Sequence, residues 1–269
     1  IDEFYQNKSV VLEGEFRPNQ GVLLRNHTNG KQTARGIYSA DTSKIDALQY
    51  HEARPWGIQA LNLQQHFALE LLLRPDLELV TMLGQAGTGK TLLALAAGLH
   101  LVAEKKRYRR IMVSRPDIPL GRDIGYLQGT KEEKLESWME PVYDNLQYLV
   151  DPSLESVEDK VGYLFERGWI EVEAVTYIRG RSLPKLFIII DEAQNLTPHE
   201  VKTAVSRAGE DAKVILTGDA YQIDNPYLDA SSNGLTYVVE RFKNEPIHGH
   251  ITLAKSERSQ LASLAANLL

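Results

Sequence analysis

The sequence predicts an α/β fold: a mainly parallel sheet flanked by helices on both faces, preceded by a small N-terminal β-rich appendage. Three observations carry this expectation. From residue 57 onward, short apolar runs alternate with helical stretches, the pattern of strand–helix–strand units. Runs such as FIII at 187–190 are apolar at every position rather than at alternate ones, as strands covered on both faces must be. A glycine-rich octapeptide at 84–91 lies between one apolar run and one strong helix former.

Taken in order, residues 1–56 are turn-rich, with NQG at 19–21, TNG at 28–30 and ARPWG at 53–57, and hold two β-prone stretches at 9–12 and 21–24. They read as an appendage or linker, and 57–269 as the main domain. Residues 60–73 carry Leu61, Phe67, Ala68, Leu71 and Leu72 at helical spacing, with Pro75 as punctuation. Strands are then expected at 77–83, 110–114, 169–175, 186–190, 213–217 and 250–253. Helices are expected at 91–104, 131–150, 156–166, 198–207 and 258–268. No internal repeat or low-complexity tract interrupts this order.

Composition narrows the function classes. The 269 residues suffice for one large domain plus an appendage, and 43% are hydrophobic. There is no cysteine, which excludes a disulfide scaffold, a thiol nucleophile and a cysteine zinc site, and fits a reducing, cytoplasmic setting. No apolar run approaches the roughly 18 residues of a spanning helix, so no membrane partner is expected. The chain opens on Ile1 without a signal peptide and reads as a piece of a longer protein. Formal net charge is −6, and residues 1–56 balance seven basic against seven acidic residues. The acidic excess falls in 57–269, so nucleic acid would have to be gripped by local basic clusters.

Residues Gly84, Gln85, Ala86, Gly87, Thr88, Gly89, Lys90 and Thr91 match G-x-x-x-x-G-K-[ST]. Chance produces such a match in on the order of 1 in 100 chains of this length, and here a strand precedes it and a helix follows. This marks a P-loop NTPase fold of the RecA-like kind. The glycines let backbone N–H groups wrap phosphates, Lys90 reaches the β- and γ-phosphates of ATP, the Thr91 hydroxyl ligates Mg²⁺, and the helix N-terminus faces the anion. The apolar strand at 186–190 ends in Asp191 and Glu192. Asp191 is expected to hold Mg²⁺ through its waters, and Glu192 to orient and deprotonate the attacking water. A third strand runs into Gly218–Gln222, where the Gln222 amide suits a γ-phosphate sensor.

Together, six blocks resemble the PhoH family, phosphate-starvation-type ATPases related to superfamily-one helicases. They are RPDIPLGRDIGYLQGTKEEK at 115–134, TYIRGRSLP at 176–184, IIDEAQNLT at 189–197, LTGDAYQID at 216–224, SSNGLTYVVERF at 231–242 and ERSQLA at 257–262. The resemblance covers about 59–269. Gln128 and Ser137 stand where the family pattern has proline, which bears on loop rigidity. Many such relatives carry a PIN nuclease domain ahead of the ATPase; residues 1–56 are too few for one, so nuclease activity is not expected. The resemblance implies ATP hydrolysis coupled to work on RNA, with unwinding as one form of it, in a ring-shaped homo-oligomer such as a hexamer. It places Gln64 near the adenine, against the plain reading of an exposed helix residue. It also matches Arg258 to an arginine that contacts the γ-phosphate; with one domain and no second helicase core in the sequence, supply across a subunit interface is expected. The plain alternative there is a cap, or a pairing with Glu257 or Glu240.

Weaker signals remain open. The basic run at 105–110 reads best as a solvated helix end. Arg115, Arg122, Arg179 and Arg181 lie beside expected strand ends and are the RNA-contact candidates, with ion pairing to Asp117 or Asp123 as the competing account. Tyr126 and Trp138 are candidate stacking residues, though packing is the commoner role. The seven histidines show no metal spacing. Two functions stay in view: an ATP-driven RNA helicase or motor, and a regulatory or assembly ATPase switch without translocation. A small-molecule kinase fits less well, because no arginine-rich lid is present.

Overall fold

The computed structural model describes residues 1–116, 131–150, 157–178 and 182–257. Arg122, Tyr126, Arg179, Arg181, Arg258, the side chain of Trp138 and the helix expected at 258–268 lie outside the described residues.

The N-terminal part comprises helix α1 (Asp2–Asn7) and strands β1 (Ser9–Val10), β2 (Gly21–Arg25), β3 (Thr33–Ser39) and β4 (Lys44–Ala47). The main part runs α2 (Leu63–Leu73), β5 (Leu79–Gly84), α3 (Lys90–Leu99), β6 (Arg110–Arg115), α4 (Lys131–Leu149), α5 (Val157–Glu166), β7 (Ile170–Ala174), β8 (Leu186–Ile190), α6 (Pro198–Val205), β9 (Lys213–Gly218), α7 (Gly234–Phe242) and β10 (His248–Leu253). The six expected strands are all present, within about two residues of their expected ends. They form one sheet in the order β10-β5-β9-β8-β6-β7, parallel throughout. The helix expected at 91–104 is α at first and ends in a π-helical turn, His100–Glu104.

The uniform apolarity of β8 follows from its place. All five residues are buried, and their side chains alternate between two cores. Phe187 and Ile189 join the core with α2, α3 and α4, whereas Leu186, Ile188 and Ile190 join the core with α6 and α7. Each such side chain contributes roughly 1.5–3 kcal/mol on burial. The strand is thereby fixed on both faces, and its carboxyl end is held rigidly.

Helices α1 and α7 and strands β3 and β4 are additions to the sequence reading. Asn233 caps α7 by accepting from the Thr236 N–H at 2.9 Å, and the helix lays Leu235, Val238 and Val239 inward. In the appendage, β1-β4-β3-β2 form an antiparallel sheet. It is clasped to the main sheet by buried polar side chains. Asn19 donates to the carbonyls of Pro246 (2.8 Å) and His248 (2.9 Å). Glu70, fully buried on α2, accepts from the N–H groups of Gln49 (3.1 Å) and Tyr50 (2.8 Å). Burial pushes the Glu70 carboxyl above the usual carboxylate range. Lys213 braces the same carboxyl-terminal turn of α2, donating to the carbonyls of Leu71 (2.9 Å) and Arg74 (2.7 Å). Its burial lowers the ammonium to about 7.

A neutral histidine pair joins β10 to β5. The Thr81 hydroxyl lies 2.9 Å from His248 Nε2 and 2.8 Å from His250 Nδ1, and His248 Nδ1 lies 3.0 Å from the Phe242 carbonyl. The carbonyl only accepts, so His248 carries its proton on Nδ1 and takes the Thr81 proton on Nε2. The Thr81 oxygen then accepts from His250 Nδ1. Burial lowers both imidazoles to about 4. The unfolded chain therefore binds more protons between about pH 6.5 and pH 4, and stability falls as pH drops through that window. For His248 the loss is of the order of 3 kcal/mol. Urea unfolding at pH 7.5 and pH 5 should show it, and His248→Gln/His250→Gln should flatten the difference.

Candidate active site

Residues Gly84 to Lys90 connect β5 to α3. The chain takes left-handed conformations at Gly87 (φ 79°) and Gly89 (φ 89°), which glycine adopts without a Cβ penalty. Thr88 is buried beneath the loop; its hydroxyl donates to the Gln85 carbonyl at 2.8 Å. Lys90 Nζ donates to the carbonyls of Gly84 (2.5 Å) and Gln85 (3.1 Å), which places the ammonium over the loop. The N-terminus of α3 points into the same space, with its first N–H groups available to an anion.

The loop is braced from α2 and from the segment after β10. Gln65, buried in the first turn of α2, donates to the Thr88 carbonyl (3.1 Å) and accepts from the Leu61 N–H (2.8 Å). Gln64 accepts from the Ala254 N–H at 3.1 Å. Asn62 donates to the Glu257 carboxylate at 2.9 Å, and the Glu257 N–H donates to the Gly87 carbonyl at 2.9 Å. Gln64 thus ties α2 to the 254–257 segment, while its neighbour Gln65 touches the phosphate loop itself.

Asp191 and Glu192 follow β8 directly. Asp191 Oδ1 accepts from the hydroxyls of Thr91 (2.8 Å) and Thr217 (2.5 Å), so one oxygen joins α3, β8 and β9. Glu192 has φ 55°, an uncommon conformation for a residue with a side chain and a mark of a constrained site. This turn lets two consecutive carboxylates converge. Arg115, at the end of β6, reaches both: its Nε lies 3.7 Å from Asp191 Oδ2 and its Nη2 lies 3.7 Å from Glu192 Oε1. Burial pushes the Glu192 carboxyl upward and Asp191 adds to this; the Gln194 hydrogen bond, Arg115 and Lys90 pull it back.

Gln194 links the acids to the next loop. Fully buried, its Nε2 donates to Glu192 Oε2 (2.6 Å) and to the Gln222 carbonyl (2.8 Å), and its Oε1 accepts from the Asp219 N–H (3.1 Å). Gly218 makes room for it, because a Cβ there would overlap Gln194 Oε1. Asn195 fixes the same loop further on, accepting from the Asp224 N–H at 2.8 Å. Gln222 is exposed on this loop, and its carbonyl shares the Gln194 amide with Glu192.

The oxygen donors suit Mg²⁺. The Thr91 hydroxyl and Asp191 carboxylate adjoin the phosphate loop, and Mg²⁺ bound with a nucleotide needs only one or two protein oxygens. Among the described residues, no group of three or more His, Cys, Asp or Glu is placed to hold a metal ion by itself.

Residues 57–268 match the PhoH family, described as PhoH-like protein. The chain belongs to the PhoH family. It is 53% identical to Protein PhoH2 of Bacillus subtilis over 273 residues, covering 100% of this chain and 61% of that protein. It is 41% identical to Protein PhoH2 of Thermobispora bispora, covering 80% of this chain and 48% of that protein. The chain thus spans between about half and three-fifths of the length of these PhoH2 relatives. Among solved structures, the Pif1 helicase from Candida albicans is similar over 78% of this chain and 43% of its own, at 16% identity and TM-score 0.36. The SWI2/SNF2 ATPase core of Sulfolobus solfataricus, solved with double-stranded DNA, is similar over 72% of this chain and 45% of its own, at 16% identity and TM-score 0.41. With its parallel sheet and phosphate loop, this PhoH domain has a P-loop NTPase fold. No helix among the described residues is long and apolar enough to cross a membrane.

Sequence reading missed Gln65, Gln194, Asn195 and Thr217. Gln194 and Asn195 lie inside the IIDEAQNLT block, but nothing local announces that their amides fold back onto a loop 25 or more residues away. Replacing Gln194 by Ala should leave the Asp219 N–H and Gln222 carbonyl without this partner. A stability loss of about 1–3 kcal/mol is expected, measurable by chemical denaturation.

Proposed function

We propose that this domain hydrolyses ATP with Mg²⁺ and couples hydrolysis to binding or unwinding RNA. The observation that carries the reading is a convergence at the carboxyl ends of β5, β8 and β9. There a phosphate loop, a hydroxyl–carboxylate pair (Thr91 and Asp191) and a second carboxylate, tied to the adjoining loop through Gln194, meet. Backbone N–H groups of residues 84–90 hold the phosphates, Lys90 offsets the β/γ charge, and Gln64 serves the adenine side. Thr91 and Asp191 would hold Mg²⁺, which supplies positive charge between the phosphates. Glu192 orients the attacking water and takes its proton, and Gln222 monitors the γ-phosphate.

One feature supports a nucleic-acid partner. Tyr221 and Tyr227 are 86% and 90% exposed on the loop that Gln194 and Asn195 tie to Glu192. Aromatic faces of this kind stack on unpaired bases without sequence preference. Arg122, Arg179 and Arg181 are proposed phosphate contacts. Arg258 is proposed to meet the charge that develops at the γ-phosphate, as a fixed guanidinium can. Supply across the interface of a ring-shaped homo-oligomer and supply within the chain are the two arrangements to be separated.

Lys90→Ala should nearly abolish hydrolysis. Glu192→Gln should retain ATP and hydrolyse it ~10²–10⁴-fold more slowly. Single-stranded RNA should raise turnover of the parent protein, and Tyr221→Ala/Tyr227→Ala should weaken RNA binding by ~1–3 kcal/mol per lost stack. Steady-state phosphate release and RNA titration measure both effects. Turnover indifferent to RNA would instead favour a regulatory ATPase switch.

Mixing Arg258→Ala with Lys90→Ala separates the two arrangements of Arg258. Each variant alone should be inactive. Recovery of activity in co-assembled mixtures means supply between subunits, and no recovery means supply within the chain.

A further inference from the structure

Arg115 enters the sequence reading as an RNA contact, and its position argues for a different task. Its β-strand is pinned on both sides. The Ser114 carbonyl accepts from the Asp191 N–H at 2.9 Å, and the Ser114 hydroxyl donates to the Glu173 carbonyl at 2.6 Å. The guanidinium is therefore launched from a fixed backbone one residue away from the acids. Its side chain is only 16% exposed, against 37% for Glu192.

The four oxygens of the acidic pair are divided among distinct partners. Asp191 Oδ1 takes the Thr91 and Thr217 hydroxyls. Glu192 Oε2 takes Gln194. The remaining two, Asp191 Oδ2 and Glu192 Oε1, both face Arg115, each at 3.7 Å and each toward a different guanidinium nitrogen. At that separation the attraction is between charges rather than through short hydrogen bonds. A rigid, permanently charged fork is suited to bridging two carboxylates at once, and a lysine point charge is less so. Two adjacent carboxylates repel, and a cation between them holds them at a set spacing.

We propose that Arg115 is a positioning residue for hydrolysis: with Gln194 it grips the Glu192 carboxylate from opposite oxygens and holds it in register with Asp191 and the phosphate loop. It acts through Glu192 and does not bind RNA. The inference rests on the assignment of Glu192 as the group that activates water. A catalytic carboxylate displaced by about 1 Å can cost on the order of 10²-fold in rate.

The test compares Arg115→Gln and Arg115→Lys with Glu192→Gln and with the double variant Arg115→Gln/Glu192→Gln, with turnover measured in RNA-free buffer and RNA affinity in a separate titration. Melting temperature confirms folding, and Arg115→Lys keeps a cation in place should Arg115→Gln fail to fold. Arg115→Gln should lower kcat by roughly 10- to 100-fold, with affinity for a fluorescent ATP analogue within about twofold of the parent. Arg115→Lys should recover part of kcat. RNA affinity should be unchanged in both. Because Arg115 acts through Glu192, the double variant should be no slower than Glu192→Gln alone, within about twofold. Parent-like kcat in both single variants, or reduced RNA affinity with kcat intact, would overturn the proposal. So would a double variant slowed by the product of the two single effects. A Glu192→Gln variant that hydrolyses at the parent rate would instead remove the underlying assignment, which separates the two failures.

Discussion

The site depends on where one carboxylate oxygen sits. Asp191 Oδ1 accepts from Thr91 and from Thr217, and so holds the first turn of α3, the end of β8 and the end of β9 at one point. Such a junction works only if the strand carrying it does not move. Strand β8 meets that demand by burying all five of its residues between two cores. Interiors packed to this degree transmit displacement instead of absorbing it. The left-handed turn at Glu192 then sets the second acid beside the first, and the constellation follows from a strand end that cannot yield.

Outward from that point, the structure is joined by buried polar side chains. Gln194 and Asn195 carry the acidic turn to the 219–225 loop. Gln65 carries α2 to the phosphate loop, and Lys213 and Glu70 both anchor the carboxyl-terminal turn of α2. Asn19 carries the appendage to β10. A polar group taken from water without a partner is costly, so each of these bonds is specific about what it joins. The arrangement makes the loop bearing Tyr221, Gln222 and Tyr227 mechanically continuous with Glu192.

The parallel sheet was legible because its strands are contiguous apolar runs closed by turn residues, a signal that needs no knowledge of partners. The phosphate loop was legible because phosphate wrapping demands glycines and a lysine at fixed spacing. Strand β3 was hidden by Arg35 and Gly36 within it, and β4 by its four-residue length. Helix α7 was hidden for another reason. Its Thr, Tyr, Val and Phe residues favour strands when taken alone. Its Asn233 cap and the burial of Leu235, Val238 and Val239 decide for helix. Asn62 and Gln65 illustrate the same limit, since an amide does not announce the distant segment it will reach.

The sequence by itself determined the fold class, the phosphate loop and the pair of acids, because each is written in contiguous residues whose chemistry is local. Only the tertiary structure decided what stands around them. Arg115 was a basic residue at a strand end, and the order β9-β8-β6 brought it against Asp191 and Glu192. Gln194 was a polar residue after an acidic turn, and Gly218, 24 positions later, left the space in which it bridges two loops. The physical reason is common to both. Electrostatic and hydrogen-bonded partners are chosen by distance in space, and the crossover connections of a parallel sheet bring together residues that are far apart in the chain.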